Sequence, residues 1–226
     1  VGSESSAFED VVAAFDVSAL DLGYSKRDLD ASYDEASATR IALSGSSASV
    51  DGLGAAVDGS TVTISSEGTY IISGELSSGQ IVVDASDDAK VQLVLAGATI
   101  HNENGPAIYA KNVDKCFVTL ADGTQNSLSD GTDYTLEDDS DEPYATLFCR
   151  CDLTINGTGA LNVTANYRHG ICSKDDLVVT GGTLNVTAVE DCLRGRDCVK
   201  IADGSFSLVA GGDGIKSNKD TEATQG

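Results

Sequence analysis

From residue 151 to residue 218 apolar and polar positions alternate in short runs, each broken by Gly-Gly or Asp-Gly, and the runs recur. Residues 175–196 read DDLVVTGGTLNVTAVEDCLRGR and residues 197–218 read DCVKIADGSFSLVAGGDGIKSN, an offset of 22 without a gap. At that offset Leu184 lies over Phe206, Val186 over Leu208, Ala188 over Ala210 and Leu193 over Ile215. Residues 151–174 repeat the pattern with small shifts in the turns: Gly157 with Gly181, Leu161 with Leu184, Val163 with Val186, Ile171 with Leu193. Alternation rich in β-branched residues predicts short strands joined by turns. Leucine-rich repeats share this period, but their Leu-x-x-Leu-x-Leu frame and Asn ladder are missing. The sequence therefore predicts an all-β chain, a right-handed parallel β-helix of about 22 residues per coil. The hand follows from the crossover rule. Coils about 4.8 Å apart put equivalent residues into ladders, and no coil buries its apolar face without its neighbours.

Earlier coils are less regular. Residues 61–90 hold TVTI, TYIISG and QIVVDA, and residues 91–121 hold VQLVLAGATI, AIYA and CFVTLA. Residues 122–145, acid-rich and without Lys or Arg, read as an insertion. The β-helix is expected over 41–226, with residues 1–40 as an N-terminal extension. In that arm Phe8, Val11, Val12 and Phe15 follow a helical stripe, and Phe15, Val17, Ala19, Leu20, Leu22 and Tyr24 alternate as in a strand. Such an arm either caps its own first coil or adds as a strand to a neighbouring copy, whose open C-terminal coil at Gly226 supplies the acceptor edge.

The chain has 226 residues, with 36 acidic residues against 14 basic ones and a formal charge of −22. That field repels phosphate and argues against nucleic acid or a bare anionic membrane as partner. No apolar run approaches the ~18 residues of a membrane span. Met is absent, even at position 1. The economical reading is a removed secretory signal and a secreted or cell-surface protein. Six Cys (Cys116, Cys149, Cys151, Cys172, Cys192, Cys198) are then expected to pair as disulfides. Cys149-Arg150-Cys151 is too tight for a zinc pair, and only two His exist.

At the 22-residue offset Asp175 stacks on Asp197 and Asp191 on Asp213. Stacked carboxylates repel, and either a hard cation or adjacent bases must offset that. The bases are present: Arg150, Lys174 and Arg196 stand one residue before the acid, and Arg194 stacks on Lys216. The stretch Asp138-Asp139-Ser140-Asp141-Glu142 is dense in carboxylates but lacks an EF-hand frame, and reads as a solvated loop. His169 takes the ladder place of Asp191 and reads as a turn residue. Tyr109, Tyr134, Tyr144 and Tyr167 lie in or near turns, where rings can stack on sugars or simply pack.

SKRDLDASYD (25–34), LADGTQNSLSDG (120–131), SKDDLVVTGGTLNVTAVED (173–191), RGRD (194–197) and AGGDGIKS (210–217) together resemble bacterial carbohydrate-binding β-helix domains, related in shape to pectate-lyase helices. The resemblance covers roughly residues 25–218. It implies an exported, calcium-containing binder of acidic polysaccharide. Carried onto this sequence, it implies ligand contacts from Lys174, Arg194, Arg196, Lys216 and Tyr167, and calcium ligands among Asp175, Asp176, Asp191, Asp197 and Asp213. The Cys residues depart from the family pattern, and Cys151 replaces one possible acidic ligand. The expected function is non-catalytic, calcium-assisted binding of uronate-type polysaccharide at the cell surface. The alternatives are an extracellular filament subunit built by N-terminal strand addition and, third, a polysaccharide lyase using Arg194, Arg196 or Lys216 beside calcium carboxylates.

Overall fold

The computed structural model describes residues 23–136 and 140–219. These form eighteen strands and no helix. The arm's helical stripe, and its strand up to Leu22, lie outside the described residues.

Three ladders organise the strands. The first runs from β2 (Ser47–Asp51) and β1 (Thr39–Gly45) through β5 (Gly68–Leu76), β7 (Lys90–Asn102), β9 (Lys115–Leu120), β12 (Asp152–Gly157) and β15 (Asp176–Ala188) to β17 (Cys198–Ala210). The second joins the later half of β7 to β10 (Gln125–Asp130), β13 (Ala160–Ala165) and the later halves of β15 and β17. The third runs β3 (Ala55–Asp58), β4 (Thr61–Ile64), β6 (Gln80–Asp84), β8 (Ile108–Asn112), β11 (Ala145–Cys149), β14 (His169–Ser173), β16 (Leu193–Gly195), β18 (Ile215–Ser217). Every pairing is parallel except β1–β2 and β3–β4. The sequence predicts an open stack, whereas hydrogen bonding closes a ring of six parallel strands, β7–β9–β12–β15–β13–β10. The cause lies in β7 and β15. Each is 13 residues long and gives its first half to one ladder and its second half to the next.

Register follows the sequence repeat. Leu161 pairs with Leu184 and Leu184 with Phe206; Val163, Val186 and Leu208 form the next row, and Ile171, Leu193 and Ile215 another. These rows point inward and build one main core of Val, Leu and Ile, which opens at the last rung, where Phe206 and Leu208 are partly buried and Ile215 is exposed. Burial of a Val, Leu or Ile side chain is worth about 1.5–3 kcal/mol, and here each is completed by its counterpart one rung away. Between ladders the chain bends where no Cβ fits. At Gly157 (φ +94°) a Cβ would lie 2.3 Å from the Leu120 carbonyl oxygen.

The antiparallel strands β2 and β3 occupy the first end of the ladders, the place where the sequence puts a self-capping arm. Residues 23–38 instead run across the outer face of the first ladder. Ala38 and Tyr33 pack with Ile71 and Val94. The Ser32 carbonyl accepts from Gln92 on β7, and the Asp30 carbonyl from Asn156 on β12. The Asp28 carbonyl accepts from Thr180 on β15 at 2.6 Å. The Asp28 carboxylate takes the Thr154 hydroxyl at 2.6 Å and faces Lys115 Nζ at 2.8 Å. Gln92, Thr119 and Asn156 continue as a hydrogen-bonded polar row under the arm. The arm thus climbs from β1 to β15.

Two expectations change. Within the acid-rich stretch, Gln125–Asp130 is a strand, because Asn126 and Leu128 alternate inward, so the loop begins only after β10. All six cysteines are free thiols rather than disulfides. Cys116, Cys149 and Cys151 serve as small apolar core residues. The nearest sulfurs, Cys149 and Cys151, stand 3.2 Å apart, and Cys172 pairs in register with Arg194 rather than with Cys192.

Candidate functional site

The outward positions of the third ladder form one row: Tyr109, Phe148, Cys172, Arg194, Lys216. The row is apolar at its first rungs and cationic at its last. Over the change stands Tyr144, the last residue of the loop before β11. Its ring meets Phe148 edge-on at 4.7 Å and His169 at 5.5 Å. Three cations surround the same ring, Arg168 at 5.2 Å and Lys174 and Arg194 each at 5.9 Å from its centroid. Cations are drawn to the negative face of such a ring, more strongly where water is excluded.

A second basic row lies alongside. Arg150, Lys174 and Arg196 follow the last residues of β11, β14 and β16, and backbone hydrogen bonds from Lys174 N to the Cys149 carbonyl and from Arg196 N to the Ser173 carbonyl keep them in step. The Glu142 carboxylate accepts from Arg150 Nε at 3.1 Å and pairs with the Lys174 ammonium. Among the described residues Arg196 has only Asp197 within ion-pair range, at 3.9 Å, and it is half-exposed.

His169 is 1 % exposed. Its Nε2 stands 2.8 Å from Arg194 Nη1, and Asp191 Oδ2 lies 3.3 Å from Nδ1. Burial, aided by the Arg194 charge and opposed by Asp191 and Glu190, lowers its pKa to about 4, so the ring is neutral at pH 7. Asp191 is buried and already served by the Asp213 backbone N–H at 3.0 Å, Arg194 at 3.6 Å and Lys216 at 3.7 Å. Lys216 also bonds Asp213 at 2.8 Å.

The other acid row sits at the turn before β12, β15 and β17. Asp176 N–H donates to Asp152, Asp176 pairs with Lys200 at 3.3 Å and Asp197 with Lys219 at 3.0 Å. Burial, then the Asp152 and Asp197 charges, push the Asp175 carboxyl above its ordinary range. Burial raises Asp152 in the same way, against the pull of Lys115. Asp197 Oδ1 is buried and accepts no hydrogen bond.

The structure therefore brings Lys174, Arg194, Lys216, Asp191 and Asp213 onto one face with Tyr144. It places Arg196, Asp175, Asp176 and Asp197 at the neighbouring turn. Tyr167 joins neither group; it stacks on Tyr134 at 4.2 Å, whose hydroxyl donates to the buried Asp130. Sequence reasoning missed the roles of Glu142, Arg168 and His169. The one available signal was that His169 occupies the ladder place of Asp191 and Asp213. Among the described residues no three His, Cys, Asp or Glu side chains converge where they could hold a metal ion. The acid rows differ in how they suit a hard cation. The Asp191–Asp213 row is filled by protein cations, whereas the Asp175–Asp197 row, though it meets Lys200, Lys219 and, at 3.9 Å, Arg196, keeps a buried oxygen without a hydrogen bond and carboxylates that repel Asp175.

Comparison with known proteins adds three findings. A family model described as carbohydrate-binding domain-containing protein matches residues 58–226. A carbohydrate-binding domain-containing protein of Acetivibrio thermocellus is 40 % identical over 128 residues, 56 % of this chain; the match spans 45 % of that relative's length. A solved structure, described as that of the polysaccharide lyase-like protein from C. thermocellum, gadolinium derivative, superposes with a TM-score of 0.81 at 36 % identity, covering 83 % of this chain and 77 % of the other.

Proposed function

The chain belongs to the family of carbohydrate-binding domain-containing proteins, and from that premise we propose that it is a secreted or cell-surface, non-catalytic binder of acidic, uronate-type polysaccharide, assisted by calcium. The observation that carries this reading is the cationic face around Tyr144. The protein has 14 basic residues in a chain of net charge −22, and Arg150, Lys174, Arg194, Arg196 and Lys216 gather on two adjoining rows, with Arg168 beside them against the Tyr144 ring. Rungs repeat every ~4.8 Å along the ladder, so the rows present charge periodically, as a polymer with a carboxylate on each sugar does. The Tyr144 ring offers an apolar platform for a sugar face. The fold that delivers this periodicity is, in this reading, a right-handed parallel β-helix, with β7 and β15 bending around its corner.

Calcium fits the Asp175–Asp197 row, with Asp176 and Asp152 beside it. A hard cation takes oxygen ligands and would serve Asp197 Oδ1 while relieving the repulsion that raises Asp175. There it supplies a positive charge that bridges protein and sugar carboxylates. The similar structure in its gadolinium form supports such a site, because lanthanide ions prefer the same oxygen donors. Affinity electrophoresis through polygalacturonate tests the proposal. Retardation that increases with calcium, without new unsaturated-uronate absorbance, is expected. Equal mobility in gels with and without the polymer refutes binding, and unsaturated product makes the protein a lyase.

A second reading, an extracellular filament subunit, draws support from the arm. It climbs toward β17, whose apolar row of Val199, Phe206 and Leu208 is only partly buried among the described residues. Residues 1–24 of one copy would add there to another.

A further inference from the structure

We propose that Glu142 is a built-in occupant of a carboxylate subsite, standing where a sugar carboxylate of the bound polysaccharide would otherwise sit. The inference rests on the acidic-polysaccharide reading and names the side chain that limits it.

The basic row Arg150–Lys174–Arg196 is periodic, one cation per rung, yet its rungs are not equivalent. The first two are closed by one acid. Glu142 receives the Arg150 guanidinium through one carboxylate oxygen and the Lys174 ammonium through the other. Each oxygen thus takes one charge-assisted contact, so the carboxylate bridges the two cations. Glu142 is mostly buried, with 14 % of its side chain exposed, and its backbone N–H donates to Ser140 Oγ at 3.1 Å, which fixes the turn that presents it. Among the described residues the third rung has no such counterpart: Arg196 keeps 54 % of its side chain exposed, and the acid in ion-pair range is its own neighbour Asp197.

Glu142 does not come from the ladders. It belongs to the loop after β10, outside the repeat, while both of its partners belong to the repeat. Around the Tyr144 face the acids that meet the other bases come from the ladder turns themselves, as Glu190 does for Arg168 and Asp213 for Lys216. A loop residue that reaches over two rungs to fill their cations occupies the position of a ligand. It also stands two residues before Tyr144, beside the ring proposed to receive the sugar.

Two consequences follow for specificity. A uronate chain must exchange its carboxylate for that of Glu142 to use all three rungs, so the wild-type protein engages chiefly the open Arg196 rung and the Arg194–Lys216 row. A neutral sugar chain cannot displace Glu142, because it brings no charge to replace it. Glu142 therefore sets a threshold that admits only polymers with several carboxylates in sequence.

The test compares wild type, E142Q and the double variant R150Q/K174Q in polygalacturonate affinity gels. E142Q should bind about tenfold more tightly, the equivalent of roughly 1.4 kcal/mol. R150Q/K174Q should lose that gain when combined with E142Q. Because Gln keeps the shape of Glu, thermal melting is expected to report a folded variant. A second readout is independent of the polymer: the Lys174 side-chain NMR resonances should respond to galacturonate monomer at lower concentration in E142Q than in wild type. Retarded wild type with E142Q of equal or weaker affinity, and an unchanged Lys174 titration, overturns the occupant role while leaving acidic-polysaccharide binding intact. Absence of retardation in every variant overturns the binding reading itself, and the occupant role with it.

Discussion

Replacing Asp28 by Asn tests what fastens the arm to the ladders. The carboxylate is 4 % exposed and lies 2.8 Å from Lys115 Nζ, itself 14 % exposed. Burial pushes its pKa up, but hydrogen bonds from Lys115, Thr154 and Ser25 outweigh that and hold it near 2, against 3.8 when free. A folded pKa below the unfolded one stabilises the native state above the unfolded value and loses that contribution as pH falls through the folded value. About 1.8 units at 1.36 kcal/mol each gives about 2 kcal/mol at pH 7. The amide also leaves the Lys115 ammonium, among the described residues, with Asp152 at 3.8 Å as its one acid in ion-pair range, so the full loss for D28N is about 2–4 kcal/mol. Urea denaturation of wild type and D28N, at pH 7 and at steps down to pH 2, measures it. The gap should be full at pH 7 and shrink between about pH 4 and pH 2, as the wild-type carboxyl takes up its proton. No gap at pH 7, or one that stays constant to pH 2, refutes the argument that this ion pair fastens the arm.

His169 carries the opposite chemistry to the same kind of experiment: its pKa falls from 6.5 to about 4, so the unfolded chain binds its proton first, and wild-type stability should drop by about 3 kcal/mol between pH 6.5 and pH 4. In H169Q that part of the slope should vanish, and an unchanged slope would mean the ring is not held neutral. If copies join through the arm, sedimentation of the full chain should show polymers that become monomers when residues 1–24 are deleted; a full chain that is monomeric at every concentration rules the filament out.

The ladders were legible because a side-chain period of two combined with an offset of 22 leaves one register only. A slip of one residue would turn Leu184, Val186 and Ala188 outward. The pairings Leu184–Phe206 and Leu193–Ile215 follow directly from the repeat. The acid and base ladders were legible for the same reason. What the sequence hid depends on groups without periodicity. Tyr144 and Glu142 lie in a loop whose acids resemble any solvated run, and nothing local says that two of its residues turn back onto the face. β10 was masked by its acidic flanks, since only Asn126 and Leu128 mark its inward side. The disulfide expectation failed because Cys in a ladder row looks the same whether it is a redox partner or a small apolar filler. Burial decides for the filler, raising the Cys116 and Cys149 thiols far above their usual range.

A ladder in which each strand pairs only with its neighbours can fray from its end, since the loss of an end strand leaves the rest paired. The arm alters that behaviour. A single residue, Asp28, touches β9, β12 and β15 at once, at sequence separations of up to 152 residues. The strand β1, near the first end of the ladder, is covalently continuous with that clamp. Fraying that reaches β15 therefore loosens contacts that also restrain β1, and two distant parts of the ladder with no direct contact share one unfolding event. The same geometry fixes an order of assembly. Residues 23–38 precede β9, β12 and β15 in the chain but cannot dock until those strands exist, so they are among the last of the described residues to reach their places.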